Sequence, residues 1–252
     1  MSAEKKPLGP IPKGPVARVA VLGMGRSGTT YICKFLDECG VYTDEVNWAH
    51  EHELGRLIND TILAQHYGAR VGLPYGKLPA EELVVPENWH QLARCFIRYM
   101  DAQAAAKGGG RYWLFKDPRT TILHSIWLDH FDIIVGMFRL PQEVVASYVG
   151  QKWVTGWRNR RRVLDYWMRF NQSMLHVYDH YRGKKPIYIL NYNGDQRAQT
   201  EALCRELGIQ ITPAAAACFQ ESLRHYKDPQ WNGSAAVRGV YERLTSITLG
   251  AK

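Results

Sequence analysis

Eight consecutive residues carry the first chemistry in this sequence: Gly23, Met24, Gly25, Arg26, Ser27, Gly28, Thr29 and Thr30. Glycines at this spacing let successive backbone N–H groups turn toward one point. A helix opening at Gly28 adds the positive end of its dipole, so the loop favours an anion. The same glycines also suit a plain tight turn from strand to helix. A nucleoside triphosphatase of this spacing places Lys next, followed by a Ser/Thr that ligates magnesium. Here Thr29 stands at the lysine position. The cation is Arg26, inside the loop, whose planar fork can clasp a phosphate or sulfate through two N–H groups.

A second pair lies about a hundred residues on, in "FRLPQEVVASY". Arg139 ends the apolar run "DIIVGMF", and Ser147 follows eight positions later. Pro141 and Gln142 can open a helix whose second turn carries Ser147 back toward the strand end, so that hydroxyl and guanidinium meet one phosphate. Taken singly, Arg139 suits a salt bridge and Ser147 a helix surface. Between the two pairs, "LFKDPRTT" ends an apolar run in Lys116 and Asp117, and the latter can orient a neighbouring cation or cap the following turn.

Together these residues resemble the sulfotransferases that use 3'-phosphoadenosine 5'-phosphosulfate (PAPS), with "GRSGTT" matching the Arg form of their first motif and Arg139 with Ser147 the second. The resemblance implies a P-loop-NTPase-like sulfotransferase fold and transfer of a sulfuryl group to a hydroxyl of a small molecule or glycan, without metal. It implies that Gly25, Arg26, Ser27, Gly28, Thr29 and Thr30 hold the 5'-phosphosulfate. Arg139 and Ser147 would hold the 3'-phosphate, and Tyr192, in "YILNYNGD", would lie near the adenine. Lys116 would donate to the leaving oxygen, with Arg26 sharing the charge.

Members acting on small phenols and steroids place a histidine base two residues after the lysine, where this chain has Pro118. In other branches a carboxylate after the first helix serves, and register against "HEHELGRLINDTIL" puts Glu51 there. His50, His52 and Glu53 are one-residue rivals, and an acidic helix N-terminus is favoured by the dipole in any case. The expected product is 3',5'-adenosine bisphosphate. A small-molecule kinase with a degenerate loop and magnesium on Asp117, or a nucleotide-binding protein without catalysis, are the competing readings.

Elements able to position these residues are legible in the apolar runs. Strands are expected at Ala17–Gly23, Arg111–Lys116, Asp132–Arg139 and Pro186–Tyr192, with a short fifth at Gly40–Asp44. Helices are expected at Thr29–Cys39, Trp89–Ala106, Thr121–His130, Gln142–Val149, Asn159–Tyr181 and Gln196–Leu207. Nearly continuous apolar strands alternating with helices predict an α/β fold of three layers, a central parallel sheet with helices on both faces. Ligands then bind at the carboxyl ends of the strands. The Gly- and Pro-rich stretch Tyr67–Pro86 reads as a long loop over the substrate.

At 252 residues with 46% hydrophobic composition, the chain is expected to be one domain over residues 16–252, after a flexible tail at 1–15 containing four prolines. No apolar run reaches bilayer length, so a cytoplasmic protein without a membrane segment is expected. The five cysteines make no C-x-x-C pair and suit reduced, packed thiols. A formal charge of +8 favours an anionic partner. The basic run "WRNRRRVLDYW" reads as a solvated helix face or an anion-attracting lid rather than a nucleic-acid surface. Trp48, Trp113, Trp153 and Trp157 could floor an acceptor pocket or simply fill core.

Overall fold

The computed structural model describes residues 16–43, 52–67, 85–107, 110–150, 157–218 and 234–250. Four strands, β1 (Ala17–Leu22), β2 (Tyr112–Lys116), β3 (Ile133–Phe138) and β4 (Ile187–Asn191), form one sheet in the order β2-β1-β3-β4, with every pairing parallel. The expected fifth strand shrinks to a single bridge, in which Tyr42 pairs with Trp113 beside β2. Parallel strands need crossover connections, and the helices α1 (Thr29–Glu38), α2 (Glu53–Tyr67), α3 (Glu87–Ala106), α4 (His124–Trp127), α5 (Pro141–Gly150), α6 (Trp157–Tyr181), α7 (Gln196–Leu207), α8 (Pro213–Ala216) and α9 (Ala235–Ser246) lie among them.

Strand residues alternate between two apolar layers. Val19, Val21, Leu114, Val135 and Leu190 pack with Ile32, Phe35 and Leu36 of α1 and Leu203 of α7. Ala20, Leu22, Trp113, Phe115 and Ile134 pack with Phe96 of α3, Trp127 of α4 and Trp167 and Phe170 of α6. Each of the larger aliphatic and phenyl side chains contributes roughly 1.5–3 kcal/mol on leaving water. Trp113 is wholly buried here, with its indole N–H donating to Asp101, so it belongs to the core and floors no acceptor pocket.

The segment expected as one helix over Thr121–His130 is broken into a 3-10 turn (Pro118–Thr121), α4 and a second 3-10 turn (Leu128–His130). Tertiary contacts claim its polar groups: Ser173 Oγ donates to the Thr121 carbonyl at 2.6 Å, and Thr121 Oγ1 accepts from Gly23 N at 2.8 Å. Three helices stand outside the six expected: α2, the short α8, and α9, which closes the β4 side through Leu244 and through Tyr241 against Phe138.

The tail at 1–15 and most of the Tyr67–Pro86 loop, as well as Trp48 and Trp153, lie outside the described residues. Cys33, Cys39 and Cys204 are buried thiols, Cys218 is half-buried and Cys95 is exposed on α3. No described helix is long and apolar enough to cross a membrane.

Candidate active site

All four strands end at one edge of the sheet, and each delivers an expected residue there: the Gly23–Gly28 loop from β1, Lys116 from β2, Arg139 from β3 and Tyr192 from β4. The chain passes from β1 to β2 on one side and returns to β3 on the other. Such a topological switch opens a crevice in parallel sheets.

The loop is strained where its cation sits. Arg26 has φ 70, the sole positive φ of a non-glycine among the described residues. That backbone costs roughly 1–2 kcal/mol. Its side chain crosses to α5, where Nε donates to Ser147 Oγ at 2.8 Å. Ser27 is fully buried, and its Oγ has no hydrogen-bond partner. An orphan hydroxyl of this kind costs roughly 1–3 kcal/mol unless something completes it. Gly28, at φ 94, leads into α1, and a Cβ there would stand 2.2 Å from Tyr192 Cδ2. The ring of Tyr192 therefore fills the space that a side chain would take.

Arg139 is 6% exposed, and its guanidinium carbon lies 4.6 Å from the centroid of the Tyr192 ring. Its Nε donates to Glu143 Oε2 at 2.7 Å, and its carbonyl accepts from Trp167 Nε1 at 2.8 Å. Ser147, 1% exposed, lies one helical turn beyond Glu143 on α5. The two sequence pairs thus converge: Arg26 of the first touches Ser147 of the second, and Tyr192 bridges Gly28 and Arg139.

Lys116 is 3% exposed at the end of β2. The neighbouring Asp117 does both jobs open to it. It caps the 3-10 turn by accepting from Arg119 N at 2.8 Å, and it holds the Arg119 side chain through Nε at 2.7 Å and Nη2 at 2.8 Å. Asp60 of α2 takes the remaining arm of Arg119. Asn59 Nδ2 donates to Thr120 Oγ1 at 3.2 Å, while Asn59 Oδ1 accepts from Trp127 Nε1 at 2.8 Å. These bonds fasten α2 to the turn that follows Lys116. Close approach is possible because Gly55 faces Phe115; a Cβ there would lie 2.4 Å from the ring.

Of the four base candidates, Glu51 and His50 lie outside the described residues. His52 is buried, with Nδ1 facing Gly55 N at 3.4 Å and its ring edge-on to Phe96 at 4.9 Å, so it caps α2 and packs. Glu53 is exposed, 3.9 Å from Arg56. Sequence reasoning missed Glu143, Asp60 and Asn59 as parts of the site. The only signal for Glu143 was its place four residues after Arg139. Among the described residues no group of three or more His, Cys, Asp or Glu is placed to hold a metal ion.

The sheet order, the loop after β1 and the helices on both faces define a P-loop-like α/β protein. Within that class the chain has the sulfotransferase fold. It superposes on the sulfotransferase domain of the olefin synthase from Synechococcus PCC 7002 with a TM-score of 0.50 and 19% identity, covering 98% of this chain and 94% of that one. Sulfotransferase STF1 from Mycobacterium tuberculosis H37Rv aligns at a TM-score of 0.46 and 16% identity, over 92% of this chain and 77% of that one. No protein-family model matches the chain, and no curated protein shows significant similarity to it.

Proposed function

We propose that the protein is a sulfotransferase that binds PAPS and sulfates a hydroxyl of a small molecule or glycan. The observation that carries this reading is the convergence of two cations from separate motifs at one sheet edge, Arg26 meeting Ser147 while Arg139 stacks on Tyr192. A nucleotide with phosphoryl groups at both the 5' and 3' positions needs two such places. The residues present fit it: the orphan Ser27 hydroxyl and the N–H groups of Gly25 to Thr30 suit a 5'-phosphosulfate, and Arg139 with Ser147 suit a 3'-phosphate. When bound, PAPS supplies the transferable sulfuryl group.

The protein's own residues then have distinct tasks. Lys116, sequestered from water, donates to the oxygen on which charge accumulates, and preorganised donors in a dry site are effective at this. Arg26 shares that charge. Glu51 accepts the proton of the attacking hydroxyl. Its support is that α2, which begins two residues after it, is bonded to the turn after Lys116, while His52 and Glu53 are engaged elsewhere or exposed. The kinase reading is less well supported, since a magnesium ion on Asp117 would have to compete with the Arg119 guanidinium that both of its oxygens accept from. Incubation with PAPS and a panel of aryl, alkyl and sugar alcohols in the presence of EDTA tests the activity. Sulfated product should form without metal; no transfer from PAPS, with magnesium-dependent phosphorylation of the acceptor by ATP instead, would contradict it.

A further inference from the structure

Glu143 is 2% exposed in the first turn of α5, and its carboxylate is bonded to Arg139. A first-turn carboxylate gains from the helix dipole. The dipole favours an exposed first-turn acid as well, so it does not by itself account for burial against a guanidinium. A buried negative charge beside the cation of an anion pocket also opposes the anion. Its presence there calls for a compensating task.

That task is visible in how Arg139 is held. Glu143 takes Nε, the Tyr192 ring lies against the guanidinium face, and Trp167 fixes the backbone carbonyl. Arg rotates freely about its last side-chain bonds unless partners stop it, and a bond at Nε sets both the plane of the fork and the direction of its donors. We infer that Glu143 is a positioning residue for Arg139, orienting the fork toward the ribose 3'-phosphate. This rests on the reading of Arg139 as the 3'-phosphate ligand.

The test compares calorimetric affinities of the full chain for adenosine 3',5'-bisphosphate and adenosine 5'-monophosphate, since only the first engages Arg139. The wild type should prefer the bisphosphate by about tenfold or more, as expected for a charge-assisted contact. Glu143→Ala should lower that ratio by about fivefold or more while leaving 5'-monophosphate affinity within about twofold. Glu143→Gln should keep the ratio, because its amide oxygen still accepts from Nε. A merely structural role would lower both affinities in parallel.

A folded Glu143→Ala protein with an unchanged ratio would overturn the inference, as would Glu143→Gln losing the ratio to the same extent. Should Glu143→Ala not fold, Glu143→Asp decides: one methylene shorter, it should lose selectivity, and an unchanged ratio overturns the inference. A wild type without preference would instead sink the functional reading beneath it, and the inference with it.

Discussion

Arg26 and Ser147, 121 residues apart in sequence, meet in a hydrogen bond of 2.8 Å that joins the loop after β1 to the helix after β3. The bond places a guanidinium and a hydroxyl from different motifs in one crevice. Ser147→Ala should weaken adenosine 3',5'-bisphosphate binding by about tenfold, corresponding to one charge-assisted bond. Titration calorimetry beside adenosine 5'-monophosphate checks it, and the monophosphate should be less affected.

Glu51→Gln should retain nucleotide binding and lose turnover, by about a hundredfold or more for loss of a general base. The same substitution at Glu53, an exposed side chain near Arg56, should leave turnover close to wild type. Steady-state rates with PAPS separate the two. An active Glu51→Gln enzyme would move the base to a neighbour.

Gly28→Ala puts a methyl group into the Tyr192 ring at a backbone with φ 94. The backbone alone costs roughly 1–2 kcal/mol. The variant should melt lower and bind adenosine bisphosphate more weakly, because the displaced ring is the surface on which Arg139 rests. Scanning calorimetry with and without nucleotide reads both effects.

Asp117→Ala should be the most damaging substitution near Lys116. It removes three bonds to Arg119, two of them to the guanidinium, and so takes from that buried cation the carboxylate that holds two of its arms. Breaking a buried pair in this way costs roughly 3–5 kcal/mol. Denaturant midpoints should show the loss.

Burial holds the His130 imidazole below its ordinary value of 6.5, with the Arg94 charge adding to the effect. The unfolded chain therefore binds more protons in the window just below 6.5, and stability rises with pH there. The contribution is fully present above 6.5 and is lost as pH falls through the lowered folded value. Subtracting the pH–stability profile of His130→Gln from that of the wild type should isolate this slope.

The strands and the loop after β1 were legible because their signals are local: unbroken apolar runs set β1 to β4, and glycine spacing set the turn into α1. For the same reason the bounds of α7 coincide with expectation, those of α1 differ by one residue at one end and those of α5 by one residue at each end. What stayed hidden depends on partners distant in sequence. Thr121 reads as helix, yet Gly23 and Ser173 claim its polar groups and the helix breaks. Asp117 reads as an orienting or capping residue, or as a magnesium ligand in the kinase alternative, and only the fold shows Arg119 closing on both of its oxygens. Glu143 carries no motif signal, since its partner becomes apparent only when α5 turns back over the end of β3.

Thermal stabilisation tests the central claim of two anion pockets most directly, because a ligand that binds only the native state raises its melting temperature. Adenosine 3',5'-bisphosphate should stabilise the wild type well beyond magnesium ATP or adenosine 5'-monophosphate, and Arg139→Ala should erase that advantage. Equal stabilisation by all three nucleotides, or a larger shift with magnesium ATP, would contradict it.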